Sequence, residues 1–534
     1  MGVLRDSRGQ LLDERRSVGE VGLQPGDSLT LQVRQTLVAS HKEGVTFSAV
    51  MGDGSVVCWG GGDFGPERKT VKEQLKHRQV QQIKAGTRAF AALLDDGSVV
   101  TWGDQGWGGN SRGVQEQLQN VQHIQATRDA FAAVLDNGSV ITWGRPDCGG
   151  DSSGVAGQLK NVQHIQASVA AFAAVLENGS VIAWGDPECG GDTSHVAGQL
   201  KNVKHVQAGE LAFAAVLEDG SLITWGHPEN GGDSSSVADK LKNVQHIQTT
   251  GFAFAAILED GSVITWGHLN HGGDSSRVAR QLKSVKHIQA TASAFAAMLD
   301  NGSVITWGHP DNGGDSSRVA GQLQNVRHIH ATFFAFAAVL DNGSVVTWGH
   351  PENGGDSSRV AGQLKNVQQI QAAGYAFAAV LDNGSVIAWG HPDNGGDSSR
   401  VAGELKNVQH IQAAERAFAA VLDNGSVIPW GRAAYGGDGR HVAGPLTNAL
   451  HHQLSTQAKA ALSEIITFLG PQGLDFAKAS IDRATLRNLI CIRAQEDMDP
   501  NRVRFMPAHA RAIAERYPDV LRDFLDAYDG GTVQ

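Results

Sequence analysis

One stretch of about fourteen residues, FAAVLDNGSVITWG in its clearest form, recurs almost unchanged along this chain. Its phenylalanine falls at Phe90, Phe131, Phe172, Phe213, Phe254, Phe295, Phe336, Phe377 and Phe418, and every spacing is 41 residues. A more diverged copy at Phe47 lies 43 residues earlier. The tryptophan of the same motif keeps step, from Trp59 and Trp102 to Trp430. A fixed period of this size means a repeat array, in which each unit is one small supersecondary element that buries its apolar face only by stacking on its neighbours. Residues 37–445 form the array. A short segment, 1–36, precedes it, and a tail of different character, 446–534, follows.

Composition narrows the function. The net charge is −11 over 534 residues, and lysines and arginines do not cluster. Nucleic-acid binding through direct phosphate contacts is therefore not expected. No apolar run reaches the roughly 18 residues of a membrane span, and MGVLRDSRGQ has no apolar core of a signal peptide. These readings give an intracellular expectation, cytoplasmic or nuclear. Of the four cysteines, Cys58, Cys148, Cys189 and Cys491, none forms a C-x-x-C pair, so zinc-finger spacing is missing. Cys148 and Cys189 occupy the same place in adjacent repeats. A disulfide between them is one option, and free thiols in a reducing compartment are the favoured one.

Within one unit, residues 121–161, three apolar runs appear: Val121–Ala126, Ala130–Leu135 and residues 139–143. Asp136-Asn137-Gly138 joins the second to the third, and Asn-Gly between β-formers signals a tight hairpin turn, which needs positive φ. Phe131, Ala133 and Leu135 point one way and Ala132 and Val134 the other, so this strand is apolar on both faces and expects cover on both. Small antiparallel sheets stacked radially satisfy that demand. The fold class expected is mainly β: a β-propeller or propeller-like spiral of about ten 41-residue blades, with a small α-helical C-terminal region. After each Trp-Gly, a run such as residues 309–317 is dense in turn formers and reads as a loop. The VAGQL segment reads as a short fourth, outer strand.

The residues Leu135, Gly138, Val140, Trp143 and Gly144, and their counterparts in ten copies, resemble the core of the regulator-of-chromosome-condensation (RCC-like) repeat. The units look closest to the compact variety in propeller-type β-lactamase inhibitor proteins and in the RCC-like domains of HECT ubiquitin ligases. The resemblance implies a propeller of usually seven blades. Ten copies depart from that, leaving a ten-bladed ring, a seven-bladed ring with spare blades, and an open spiral as options. Residues 9–34, with Leu23, Gly26, Asp27, Leu29 and Leu31, resemble the second half of a ubiquitin-like domain; a plain β-hairpin is the alternative. The tail reads as three or four amphipathic helices. Its Cys491 reads as a buried structural thiol.

Catalytic signals are poor: no P-loop, G-x-S-x-G or H-E-x-x-H occurs, so a non-enzyme without a cofactor is expected. Two histidine ladders, His123, His164, His205, His246, His287, His328 and His410, and His227, His268, His309, His350 and His391, lie too far apart between blades for zinc. The aspartate ladder after Gly-Gly, Asp151 to Asp438, reads as Asx-type turns rather than calcium ligands. The informative signal is variation. Three positions before each Ala-Phe change from unit to unit while their surroundings stay fixed. They supply Arg88, Arg128, Asp129, Glu210, Leu211, Phe252, Phe333, Phe334, Tyr375, Glu415 and Arg416 as candidate partner-binding residues. Aromatics and arginine are hot-spot types, and loops on a rigid scaffold commonly carry binding. The function expected is a protein-interaction scaffold binding a protein partner of unknown identity through these loops, with no membrane role. A substrate-recruiting adaptor or fragment of a HECT-type ubiquitin ligase, and a guanine-nucleotide exchange factor for a small GTPase, are the alternatives that the resemblance implies. Residues 29–38 are expected to pair with the final blade near residues 427–430, or to cover its edge, and so close the array.

Overall fold

The computed structural model describes residues 2–5, 30–33, 36–51, 55–61, 68–75 and 78–440. Ten three-stranded antiparallel sheets follow one another along the array. Each is a blade; blade 3, for example, consists of Val121–Ala126, Ala130–Leu135 and Val140–Gly144. The middle strand of each blade is almost wholly buried, as its two apolar faces require. First strands of successive blades lie side by side and so line the axis. The third strands are outermost, and VAGQL adds no fourth. That segment folds into short turns, with Val155 N–H donating to Ser152 O at 3.0 Å and Gln158 N–H to Val155 O at 2.8 Å. Ala-Gly-Gln lacks the branched residues that favour extended chain. Its Leu159 is buried against the next sheet.

Each blade meets the next through the same contacts. Phe131, Trp143 and Ile124 of blade 3 pack on Ala89, Ala91 and Leu93 of blade 2. Alanine at those two places lets the sheets approach, and burying one such phenylalanine contributes about 2–3 kcal/mol. Phe131 stacks on Trp143 with ring centroids 5.3 Å apart. Trp143 Nε1–H donates to Gly108 O of the preceding loop at 3.0 Å. Gly108 has φ +96°, and a Cβ there would stand 2.6 Å from Phe131 Cδ2, so both conformation and space demand glycine. At the far end of the blade, Val162 N–H of blade 4 donates to Gly138 O of the blade 3 hairpin at 2.8 Å.

The array closes into a ring. Phe47, Val57 and Trp59 of blade 1 pack on Ala417, Ala419 and Val421 of blade 10, the positions used at every other junction. Trp59 Nε1–H donates to Gly436 O at 2.9 Å, repeating the Trp-to-Gly bond. Thr36 Oγ1–H donates to Gly425 O at 2.9 Å, where other blades use a backbone N–H. Of the two arrangements expected for residues 29–38, strand pairing with the last blade is not found, while Val38 packs over that blade beside Val421 and Val427. Leu37–Ser40 pairs with Thr46–Val50 of its own blade, and Thr30–Val33 pairs antiparallel with Gly2–Arg5. Side-by-side packing of whole blades closes the ring, so no strand needs to be lent. The irregular joint lies between blades 1 and 2. There the helix Arg68–Leu75 packs Val71 and Leu75 into the junction, and Trp102 Nε1–H donates to Ser48 Oγ at 3.0 Å. The tail and Cys491 fall outside the described residues.

Candidate functional site

The variable triplets are the links between first and second strands, and the structure divides their three positions among three tasks. The first is an internal staple. Thr332 Oγ1 accepts from Ala335 N–H at 2.9 Å and donates to Asn353 O at 3.2 Å, tying the link to the loop after Trp-Gly. Thr127, Ser168, Thr250 and Thr291 repeat this. Gly209, Ala373 and Ala414 stand at the same place without a hydroxyl.

The middle position builds a backbone ladder around the axis. Thr87 N–H donates to Arg128 O at 2.8 Å, Arg128 to Val169 at 3.1 Å and Val169 to Glu210 at 3.1 Å. The run resumes from Gly251 to Ala292 at 3.2 Å, and on through Phe333 and Gly374 to Glu415; Glu415 N–H reaches Gly44 O at 3.5 Å. The variable side chains therefore stand on a hydrogen-bonded band, not on free loops. The third position is tied too: its carbonyl accepts the N–H of the residue after Trp-Gly, as in His350 N–H to Phe334 O at 2.9 Å.

The side chains on this band fall into two arcs. In blades 8 to 10 they form one continuous stack. Phe333 lies edge-on to Phe334 and Tyr375, at 6.2 and 5.9 Å between centroids, and Phe334 lies 5.5 Å from Tyr375. The Arg416 guanidinium sits 4.9 Å from the ring centres of both Tyr375 and Tyr435, and its Nε–H donates to Glu415 Oε1 at 2.9 Å. Arg432 lies over Tyr435 at 5.9 Å. All of Phe333, Phe334, Tyr375, Glu415 and Arg416 are half-buried. Sequence reasoning missed Tyr435 and Arg432, which lie in the loop after Trp430; the departure of Arg432-Ala433-Ala434-Tyr435 from the His-Pro-Asp-Asn pattern was the available signal.

Blades 3 to 5 carry charge instead. Arg128 is exposed, with its Nε 3.6 Å from Glu43 Oε2. Burial, then the like charge of Glu43, hold the Glu210 carboxyl above its usual range. Leu211 is half-buried against the blade 4 core. Asp129 turns inward: its Oδ1 accepts from Thr87 Oγ1 at 2.9 Å, and only 5% of it is exposed, so it supports the scaffold. Two candidates stand apart from both arcs. Arg88 is exposed and lies over Trp107 at 4.6 Å. Phe252 packs edge-on to His271 at 4.8 Å.

The aspartate ladder has a structural explanation, whereas in the second histidine ladder the Nδ1 atoms of His227, His268, His309, His350 and His391 are buried with no hydrogen-bond partner among the described residues. Asp151 Oδ1 accepts from Ser153 N–H at 2.8 Å, an Asx turn that recurs at Asp192, Asp233, Asp274, Asp315, Asp356 and Asp397. Burial lowers the pKa of His164, His205, His287 and His410 in the axis-lining strands, and nearby histidines add to this in the first three. Among the described residues, no three His, Cys, Asp or Glu side chains converge as metal ligands would. Cys148 and Cys189 are free and buried, and burial pushes both thiols up to about 11. Among the described residues no helix is long and apolar enough to cross a membrane.

No protein-family model matches the sequence, and no curated protein does. Several solved structures overlap with it. Prp20p of Saccharomyces cerevisiae is 16% identical, with 60% of this chain and 83% of that chain covered and a TM-score of 0.31. The CRINKLY WD40 ectodomain of the Arabidopsis thaliana receptor kinase ACR4 is 15% identical, over 52% of this chain and 95% of that one, with a TM-score of 0.28. The computationally designed Ika8 protein is 14% identical, over 58% and 95%, with a TM-score of 0.29. It is the blade-to-blade contacts, not these overlaps, that make the chain a propeller.

Proposed function

We propose that this ring is a non-enzymatic protein-binding scaffold, and that its partner docks on the face carrying the strand links, centred on blades 8 to 10. The observation that supports this reading most is the continuous stack of Phe333, Phe334, Tyr375, Arg416 and Tyr435. Large rings with a planar cation on their faces lose little side-chain freedom on binding and give much contact area. The backbone band beneath them is already hydrogen-bonded, so little loop ordering remains to oppose association. The repeat's likeness to the RCC-like core supports placing the blades with that group.

The test uses the full chain as bait. Replacing Phe333, Phe334 and Tyr375 together with alanine should remove the captured partner, while replacing Arg128, Glu210 and Leu211 should leave most of it. Capture that survives the aromatic triple substitution, in protein that still melts cooperatively, would place the docking surface elsewhere.

A further inference from the structure

One segment of the chain reaches across the ring. The link between the first two strands of blade 1 spans residues 41–45, five residues where blades 2 to 10 have three. Its base is fixed by backbone bonds: Gly44 N–H donates to His41 O at 2.8 Å, and Gly61 N–H to Val45 O at 2.9 Å. Glu43 N–H also donates to His41 Nδ1 at 3.1 Å. Its tip leaves blade 1 altogether. Lys42 Nζ lies 5.0 Å from the ring centre of Phe333 in blade 8. Glu43 Oε2 lies 3.6 Å from Arg128 Nε in blade 3. Glu210 of blade 5 is near enough to feel the charges of both Glu43 and Lys42. Ten chains at the usual strand spacing of about 4.8 Å lie on a circle roughly 15 Å across between chain axes, and the opening inside it is narrower. A five-residue loop with a lysine and a glutamate at its tip spans much of that mouth.

The tip is held weakly compared with its base. Arg128 and Glu43 are 49% and 30% exposed, and an ion pair this wet contributes about 0–1 kcal/mol. An exposed cation–π contact contributes about 0.5–1 kcal/mol. The receiving groups are laid flat. Phe333 lies against Gly374, where a Cβ would come within 2.7 Å of its ring, and the Glu210 carboxyl lies against Gly251. Lys42 covers one face of the Phe333 ring.

We propose that residues 41–45 are a built-in competitor for the axial part of the docking face. A partner segment that carries a basic residue followed by an acidic one takes the place of Lys42 on Phe333 and of Glu43 on Arg128 when the tip swings aside. This rests on the docking reading above and names the chemistry of the segment that docks. The competitor is tethered, so its effective concentration is on the order of millimolar. A free segment gains access mainly when the tip is released or when the partner adds contacts on the aromatic arc.

The probe is a fluorescein-labelled twelve-residue peptide with His-Lys-Glu-Gly-Val flanked by Gly-Ser. Polarisation is read against the full chain and against its Lys42→Ala/Glu43→Ala variant. Release of the tip should tighten binding roughly three- to tenfold, the gain that two contacts of this strength allow, and each single substitution should give part of it. A peptide with Ala-Ala in place of Lys-Glu should lose it. So should Phe333→Leu in the released background, which keeps apolar bulk but removes the ring face; its melting temperature reports whether the ring is intact. Equal binding to both proteins, or equal binding of the Ala-Ala peptide, would overturn the proposal. If that happens while the Phe333/Phe334/Tyr375 substitution still abolishes capture, only the strap is refuted. If the peptide behaves as expected but capture is unaffected, the docking reading fails and the strap stands.

Discussion

Blades 3 to 5 and blades 8 to 10 share one scaffold and differ in what they display. Phe172 stacks on Trp184 at 5.3 Å and Phe336 on Trp348 at 5.1 Å. Trp184 and Trp348 each donate to a glycine carbonyl at 3.0 Å. On that common frame one arc presents Arg128, Glu210 and Leu211, and the other Phe333, Phe334, Tyr375 and Arg416. The difference shows that fold and display are set by separate positions only two or three residues apart. A blade can change its exposed chemistry without touching the contacts that hold the ring.

The most direct way to break that separation is to cut into the shared core on both sides. Phe172→Ala and Phe336→Ala should each cost about 3–5 kcal/mol, because a fully buried ring leaves a cavity between rigid sheets. Denaturant titration should give the same loss for both, within about 1 kcal/mol. A larger gap would mean that the arcs differ in scaffold as well as in display.

Acidity should separate the arcs less sharply, since it acts alike on two half-buried histidines, His41 in the blade 1 link beside Arg128 and His330 in the axis-lining strand of blade 8. Burial first, then Arg128 and Lys42, push His41 down to about 4; burial, then His328, do the same to His330. Both stay neutral in the fold while the unfolded chain takes up protons near 6.5. The stability they contribute is complete above about pH 6.5 and declines as pH falls toward 4. Glu210, whose carboxyl is held high, acts in the opposite sense and lowers stability as pH rises past the ordinary carboxylate range. Melting curves of His41→Gln and His330→Gln should flatten between pH 6.5 and 4. An unchanged slope in both would remove these histidines as the cause.

Much of the scaffold was legible because its signals are local and repeated. Asn137-Gly138 between β-formers gave the hairpin, and the doubly apolar Phe131–Val134 run gave sheets packed on both sides. The fourth strand was misread at VAGQL. Leu159 is apolar because it is buried, and the preceding Ala-Gly-Gln turns back on itself. At residues 29–38 the lent strand was a misreading, because composition cannot tell a lent strand from a complete blade, whereas the cover over the last blade's edge is met by Thr36 and Val38. The candidate site was legible only as variation. Nothing in the triplets tells that Thr332 faces inward, that Phe333 carries the band and that Phe334 meets the next loop, since those roles follow from bonds made 21, 41 and 16 residues away.

The staple offers a milder test of the same separation. Thr332→Ala and Ser168→Ala should each cost about 1 kcal/mol, the usual net value of a buried hydrogen bond. Ala373→Thr should gain up to about the same amount if the hydroxyl finds the turn geometry of its neighbours. A loss at position 373 would show that the aromatic arc has a differently packed link. Arg416→Ala should fall in the same range, at about 1–2 kcal/mol, because its guanidinium is half-buried between two tyrosine rings and bonded to Glu415.

The smallest effect belongs to the arginine of the other arc. Arg128 also faces a glutamate, but the pair is wet, its partner sits on a loop tip, and among the described residues no ring covers the guanidinium. Arg128→Ala should cost less than about 0.5 kcal/mol, near the lower end for exposed ion pairs. Raising the salt concentration should shrink even that, since screening acts strongly on solvent-exposed charges. The ratio between the Arg416 and Arg128 losses is thus a measure of how differently one backbone band holds its two arcs. A loss above about 1 kcal/mol at Arg128 would mean that the tip of residues 41–45 is clamped rather than poised, because an exposed pair that strong is seldom a loose latch.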